Sequence, residues 1–375
     1  MRLVFVTQDF PPRRGGIQTY AVELASRLAR RCEAFAVVAP NAPGAAEEDA
    51  RLGYRVLRHG SADTLVAACV PALARLVLDE GFEHALHAQW STAPASLALR
   101  ALGRLDTVTI AVHGRELLLA PWRAAPFAQR AYDTVRRKAL TAADRILAGS
   151  DYTAGRAREL GVDAARISVT RYGTDPDRFR PTDAGALREH LGLGGRPVLL
   201  TIARLVERKG IDSVLRALPR VLERVPNAAY VIAGDGPDRA RLESLARSCA
   251  HAVHFAGPVA DAELPRWYSL ADVFVMPSRS VPPDVEGFGI VYLEAGACER
   301  PVVAARDGGV PDAVADGVSG VLVPPGDDEA LAAALADLLL DRARAAELGR
   351  RGRERVLASL NWDSVTARTL EAMGA

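Results

Sequence analysis

Residues 197–236 read PVLLTIARLVERKGIDSVLRALPRVLERVPNAAYVIAGDG, and their pattern decides the fold. PVLLTIAR and AYVIAGDG, at the two ends, are short and nearly continuous apolar runs, while residues 211–225 between them carry a longer helical pattern. A strand that is apolar on both faces has to be covered on both faces. Such strands alternating with helices predict a buried parallel sheet in a doubly wound α/β domain. The alternation runs through the whole chain. RLVFVT, AFAVVA, TVTIAV, RILAGS and ISVTRYG precede this stretch, and DVFVMPS, PVVAA and GVLVPP follow it. Helical patterns fill residues 17–31, 62–79, 126–142, 237–249 and 327–357. A run rich in Pro, Gly and charge at about residues 175–196 interrupts the pattern as a domain boundary would. The reading is two Rossmann-like domains, 1–180 and 181–360. The final segment NWDSVTARTLEAMGA (361–375) has Asn361 as its N-cap and Trp362 as its anchor.

The 375 residues are 49% hydrophobic and 25% charged, a globular composition with length enough for two domains. A net charge of +1 gives no global case for nucleic acid or an anionic membrane as a partner. Residues 1–190 carry 26 Lys+Arg against 21 Asp+Glu, and residues 191–375 carry 21 against 25. The mildly basic first half points to an anionic or membrane-associated ligand on that side. Cys32, Cys69, Cys249 and Cys298 form no CxxC pair and read as small buried residues of a reducing compartment. No apolar run is long enough to span a bilayer, and Met1-Arg2 leads straight into LVFVT. The expectation is a cytoplasmic protein with peripheral contact at the inner face of the membrane. Only Lys138 and Lys209 are lysines, against 45 arginines.

Ligands of an open α/β sheet bind outside the carboxyl ends of its strands, and several unusual segments lie there. In DFPPRRGGIQTY (9–20), Gly15 and Gly16 open a helix whose amides can approach a phosphate or sugar; an ordinary tight turn is the plainer reading. In TIARLVERKG, Arg204 and Lys209 stand five apart in a loop, where both could serve one diphosphate and neutralise the charge of a leaving group. A lysine kept where arginine is the rule marks a site wanting a compact point charge. Gly234 and Gly236 of VIAGDGPDR make either a turn against a nucleotide or a helix entry capped by Asp235 or Asp238. His113 ends a strand in IAVHGRE. Asp175 and Asp177 resemble a metal-binding DxD, but at the linker they read as turn residues, and no metal is expected. Residues 126–142 mix Phe127, Tyr132 and Val135 with Arg130, Arg136, Arg137 and Lys138. They suit a solvated helix face or an anionic membrane surface.

The richest stretch is DVEGFGIVYLEAGAC (284–298). Gly-Phe-Gly before a predicted helix offers free amides to phosphate. Glu286 and Glu294 would repel that phosphate, so they are better aimed at hydroxyls, from which a carboxylate accepts hydrogen bonds. A diphosphate flanked by two polyhydroxyl rings satisfies all three demands, which is a nucleotide-sugar.

These residues resemble retaining glycosyltransferase family 4. The pair Glu286-x7-Glu294 encloses GFG, Arg204 and Lys209 stand upstream, GDGP lies between, and GGIQ sits near the N-terminus. DFPPRRGGIQTY and MPSR…DVEGFGIVYLEA are most similar to the bacterial phosphatidylinositol-mannoside (PimB-like) subgroup of mannosyltransferases. The resemblance implies the GT-B fold, two Rossmann-like domains facing a central cleft with the donor mainly on the second, and a last helix returning to the first. It implies Glu294 on the nucleotide ribose and Glu286 on the transferred sugar. Arg204 and Lys209 would hold the diphosphate, with Phe288, Gly289 and Ile290 also at the donor. His113 would face the donor sugar, Gly15 and Gly16 would close over the phosphate, and Gly234 and Gly236 would contact the nucleotide. It implies retention by front-face attack without metal or cofactor. RYGTD (171–175) and the proline-rich SVPPD (280–284) depart from the family pattern, so base and sugar specificity stay open.

The expected function is transfer of a hexose from a nucleotide diphosphate sugar, GDP-mannose ahead of a UDP-sugar, to a glycan, lipid-linked or small-molecule acceptor. A retaining phosphorylase, a nucleotide-sugar hydrolase or epimerase, and a non-catalytic nucleotide-sugar-binding subunit are the alternatives at this stage.

Overall fold

A computed structural model describes residues 1–13, 15–118, 126–282 and 284–374. Arg14 of the first glycine motif and Pro283 of SVPPD lie outside them. The chain forms two units, one of residues 1–172 with the C-terminal helix from Trp362, the other of Gly173–Asn361.

The first unit holds β1 (Arg2–Val6), β2 (Ala34–Ala39), β3 (Arg55–Arg58), β4 (His84–His87), β5 (Thr107–Val112), β6 (Arg145–Ala148) and β7 (Ile167–Val169). They form one sheet in the order β3-β2-β1-β4-β5-β6-β7, every pair parallel. Leu3 to Val6 and Val108 to Val112 are fully or almost fully buried, as strands covered on both faces must be. The C-terminal helix Trp362–Met373 belongs to this unit because Trp362, 2% exposed, packs edge-on to Tyr20 at 6.3 Å. Arg27 Nε pairs with Asp363 at 3.3 Å, and Arg145 Nε donates to the Ala372 carbonyl at 3.1 Å. Asn361 Nδ2 donates to the Val356 and Leu357 carbonyls at 3.1 and 2.9 Å, closing the end of the preceding helix.

The second unit holds β8 (Val198–Ile202), β9 (Ala229–Ala233), β10 (Val253–Gly257), β11 (Val273–Met276), β12 (Val302–Ala305) and β13 (Gly320–Val323). Their order is β10-β9-β8-β11-β12-β13, again all parallel. The helix Ile211–Arg224 buries Ile211, Val214, Leu215, Leu218 and Val221 at helical spacing. It pairs with the helix Asp328–Leu340 through Arg216–Asp328, Arg220–Glu329 and Arg224–Asp337 at 2.6, 3.0 and 2.8 Å. Two features differ from the sequence pattern. The stretch 327–357 is two helices, because Asp341 leaves helical geometry and its carboxylate caps the Arg344 amide at 2.9 Å. β3, β4 and β10 are additional strands whose polar residues obscure the apolar pattern.

In each sheet the strand order reverses direction once, between β1 and β4 and between β8 and β11. At such a point the loops leaving adjacent strands diverge and open a crevice at the carboxyl edge. The loops after β8 and β11 carry Arg204, Lys209 and Glu286, and the loops after β1 and β4 carry Asp9 and Gln89.

Candidate active site

In the second unit the chain after β8 passes Ala203–Leu205 and enters the turn Glu207–Lys209. Gly234 and Gly236 lie behind it. A Cβ on Gly234 would strike the Ala203 carbonyl, and one on Gly236 would strike the Leu205 backbone. Leu205 N–H donates to the Asp235 carbonyl at 2.9 Å. These two glycines therefore let two loops meet and seat Arg204 between strand and turn. The Arg204 side chain is exposed and has no ion pair or hydrogen bond among the described residues. Gly210 ends the turn at φ 69°, and a Cβ there would collide with the Pro277 carbonyl after β11.

This close approach brings Lys209 Nζ onto Glu286 Oε2, which also accepts from Arg208 Nη1 at 2.7 Å. Arg208 Nε reaches Asp284 at 3.2 Å. The Lys209 and Glu286 side chains are only 11% and 13% exposed. Burial alone would raise the Glu286 carboxyl, but the Lys209 and Arg208 charges outweigh it and hold it below the usual carboxylate range. Burial pulls the Lys209 ammonium below the usual lysine range, against the opposing Glu286 charge. Among the described residues Glu286 Oε1 takes part in no hydrogen bond. The Glu286 carbonyl accepts from Gly309 N–H at 2.9 Å, which fixes the backbone beneath it.

Gly289, at φ 92° with the Tyr292 ring behind it, is the N-cap of the helix Ile290–Ala297, and no side chain caps that end. Phe288 and Ile290 are 1% and 9% exposed, so their side chains belong to the packing and their backbones are what a ligand could meet. One turn along, Glu294 Oε2 accepts from the hydroxyl of the fully buried Tyr268 at 2.5 Å. Burial pushes the Glu294 carboxyl up to about 7, with Tyr268 and Arg178 opposing. Glu286 is thus held ionised by cations, while Glu294 is poised near neutrality beside a phenol.

The first unit has its own polar cluster at the β1/β4 switch. Asp9 accepts from Gln18 Nε2 at 2.7 Å and from Gln89 Nε2 at 2.9 Å, and burial raises its carboxyl. His113 Nε2 donates to the Ala88 carbonyl at 2.8 Å, which leaves Nδ1 to accept from the Tyr172 hydroxyl. Burial lowers its pKa and keeps the ring neutral. Both ring nitrogens are engaged within the unit, the ring packs edge-on to Tyr20 at 5.0 Å, and the His113 backbone N–H donates to the Glu116 carboxylate. Gly15 and Gly16 are exposed at the uncapped start of the helix Gly16–Leu28.

The structure therefore joins Lys209 to Glu286 and sets Arg204 on the same loop, without a side-chain partner among the described residues. It gives Gly234 and Gly236 a backbone-packing role. Arg208, Asp284 and Tyr268 carry no motif of their own in the sequence; the nearest signal is the adjacency of Arg208 to the rare Lys209. Asp175 Oδ1 accepts from the Asp177 and Arg178 amides at 2.9 and 3.1 Å, a local turn. Among the described residues, Glu83, His84 and Asp106 alone bring metal-ligating atoms within 4.8 Å of one another, at the amino ends of β4 and β5. No helix of the described residues is long and apolar enough to cross a membrane.

Two family models match the chain. Glycosyl transferases group 1 covers residues 184–355, and Glycosyltransferase Family 4 covers residues 14–178. The chain is 41% identical to the GDP-mannose-dependent alpha-(1-6)-phosphatidylinositol monomannoside mannosyltransferase of Mycobacterium tuberculosis H37Rv, over 98% of this chain and 96% of that one. It is 40% identical to the protein of that name from Mycolicibacterium smegmatis, over 99% and 98%. The fold matches a crystal structure of Anabaena HepE in complex with UDP, with TM-score 0.82 at 20% identity over the full length of both chains.

Proposed function

The chain belongs to glycosyltransferase family 4, with the GT-B fold, and on that premise we propose that it transfers mannose from GDP-mannose to a hydroxyl of a lipid-linked mannoside acceptor, with retention and without metal. The observation that carries this reading is the divided Glu286 carboxylate, with Oε2 on Lys209 and Arg208 and Oε1 open. The open oxygen suits a hexose hydroxyl, and the cations beside it suit the diphosphate to which that hexose is bonded. Arg204 on the same loop supplies a further charge, and the ionised form of Glu294 suits the two hydroxyls of a ribose. In the reaction the bond from the anomeric carbon to the phosphate oxygen breaks on one face. The acceptor oxygen bonds to the same carbon on that face, and its proton passes to the departing phosphate. Arg204 and Lys209 stabilise the charge that develops on the leaving diphosphate. No step requires a protein nucleophile, and Glu286 orients the sugar. The mannosyltransferase relatives described above support GDP-mannose and a phosphatidylinositol monomannoside-like acceptor. The helix Pro126–Ala142, with Phe127 83% exposed beside Arg130, Arg137 and Lys138, supports contact with an anionic membrane surface on the acceptor side.

The test is turnover on a panel of GDP-, UDP- and ADP-sugars with a mannosyl-lipid acceptor. GDP-mannose is expected to give the highest kcat/KM. Glu286→Gln and Lys209→Ala should each lower kcat by on the order of a hundredfold or more with thermal melting retained. Full activity in either variant contradicts the assignment.

A further inference from the structure

The segment that leaves β11 does more than lead to Glu286. Arg279 backbone N–H donates to the Arg208 carbonyl at 2.8 Å, and the Pro277 carbonyl lies in the space a Gly210 side chain would fill. The Arg279 guanidinium then spans the turn to the first residues of the helix Ile211–Arg224. Its Nη1 donates to Asp212 Oδ1 at 2.8 Å and its Nη2 to Asp212 Oδ2 at 2.9 Å, a two-pronged match of planar groups. The Asp212 side chain is 5% exposed. On its other side Ser280 Oγ donates to Asp307 Oδ1 at 3.0 Å, so the segment is tied down at both ends.

Arg279 thus grips the chain just before Lys209 and three residues after it. We propose that Arg279 is a positioning residue for the donor site: it clamps the Arg208–Asp212 turn and so fixes where Lys209 and Arg208 meet Glu286. Its bearing on catalysis rests on the glycosyltransferase reading above; its bearing on Lys209 does not. Arg279 touches none of the atoms assigned to the donor and acts through the turn. A small displacement of charges that must face a diphosphate is enough to cost one to two orders of magnitude in rate. Removing the Arg279 side chain does not strand a buried carboxylate, because Asp212 also pairs with Arg216 at 3.0 Å and Arg241 at 3.6 Å.

The chain's two lysines make the test direct. Uniformly lysine-labelled protein gives two side-chain NMR signals, Lys138 and Lys209, which Lys138→Arg assigns. In Arg279→Ala and Arg279→Gln the Lys209 signal is expected to move toward that of an exposed lysine while the Lys138 signal stays. Donor kcat/KM should fall by about tenfold to a hundredfold, and added guanidinium should restore part of it to Arg279→Ala. An unmoved Lys209 signal with kcat/KM within about twofold of wild type overturns the proposal, as does a lowered melting temperature with both readouts unchanged. A displaced Lys209 signal in a protein whose wild type turns over no nucleotide-sugar would sustain the clamp and overturn the transferase reading.

Discussion

Glu294 and Glu286 sit eight residues apart and meet opposite electrostatic fates. Glu286 has two cations on one oxygen and stays ionised despite burial. Glu294 accepts from a phenol, and burial carries its carboxyl to about 7 against the opposing Tyr268 hydrogen bond and Arg178 charge. The ionised form can accept from two ribose hydroxyls, whereas the protonated form loses one acceptor and must place a proton. Donor affinity should therefore rise with pH through about 7 and level off above it, measured by calorimetry with GDP. Glu294→Gln should bind more weakly and without that pH dependence; a wild-type affinity flat from pH 6 to 8 contradicts the ribose role. The same shift has a stability consequence of the opposite sense. A carboxyl whose folded pKa is raised above its ordinary 4.5 favours the fold most below 4.5, and this contribution is lost as pH rises through about 7. Greater affinity and lower stability on the same limb would mark Glu294 as a group held for binding.

At the scale of elements, the site depends on backbone proximity that only glycine allows at particular points. Gly210 combines φ 69° with the Pro277 carbonyl where its Cβ would stand. Gly210→Ala should cost about 1–3 kcal/mol of stability and lower activity further by pushing Lys209 off Glu286. Gly195, which has nothing within 4 Å and no positive φ, serves as control, and Gly195→Ala should stay within about 0.5 kcal/mol. Urea melts with parallel kcat/KM measurements check both. Elements were legible in the sequence where their covering was complete. β1, β8 and β9 are apolar on both faces and announce themselves. β3 and β10, at the sheet edges, read RVLR and VHFAG, and β4 reads HALH, with polar residues that no window of apolar pattern picks out. The break at Asp341 was hidden because a single capping residue interrupts an otherwise continuous helical periodicity.

For the molecule as a whole, strand–helix alternation was enough to predict two parallel-sheet units, and the strand orders add the two switch points that concentrate the polar loops. Within the site, residue type and loop position were what the sequence made legible. Arg204, Lys209 and Glu286 come from loops at the carboxyl edge of the second sheet, and Glu294 from one turn into the helix that follows. Their partners were not legible, because contacts such as Lys209–Glu286 and Arg279–Asp212 join segments 77 and 67 residues apart. No local spacing encodes them. The histidine was legible as a strand-end residue but not as one whose two ring nitrogens face Ala88 and Tyr172. On the function proposed above, the second unit delivers a hexose from GDP-mannose on the face its leaving group departs, by charges the chain itself supplies. That delivery is tested most directly by following the anomeric proton by NMR while the enzyme, in EDTA, acts on GDP-α-mannose and a mannosyl-lipid acceptor. GDP-mannose should be consumed with formation of an α-linked product at a rate EDTA leaves unchanged. A β-linked product, or turnover abolished by EDTA and restored by a divalent ion, would contradict it.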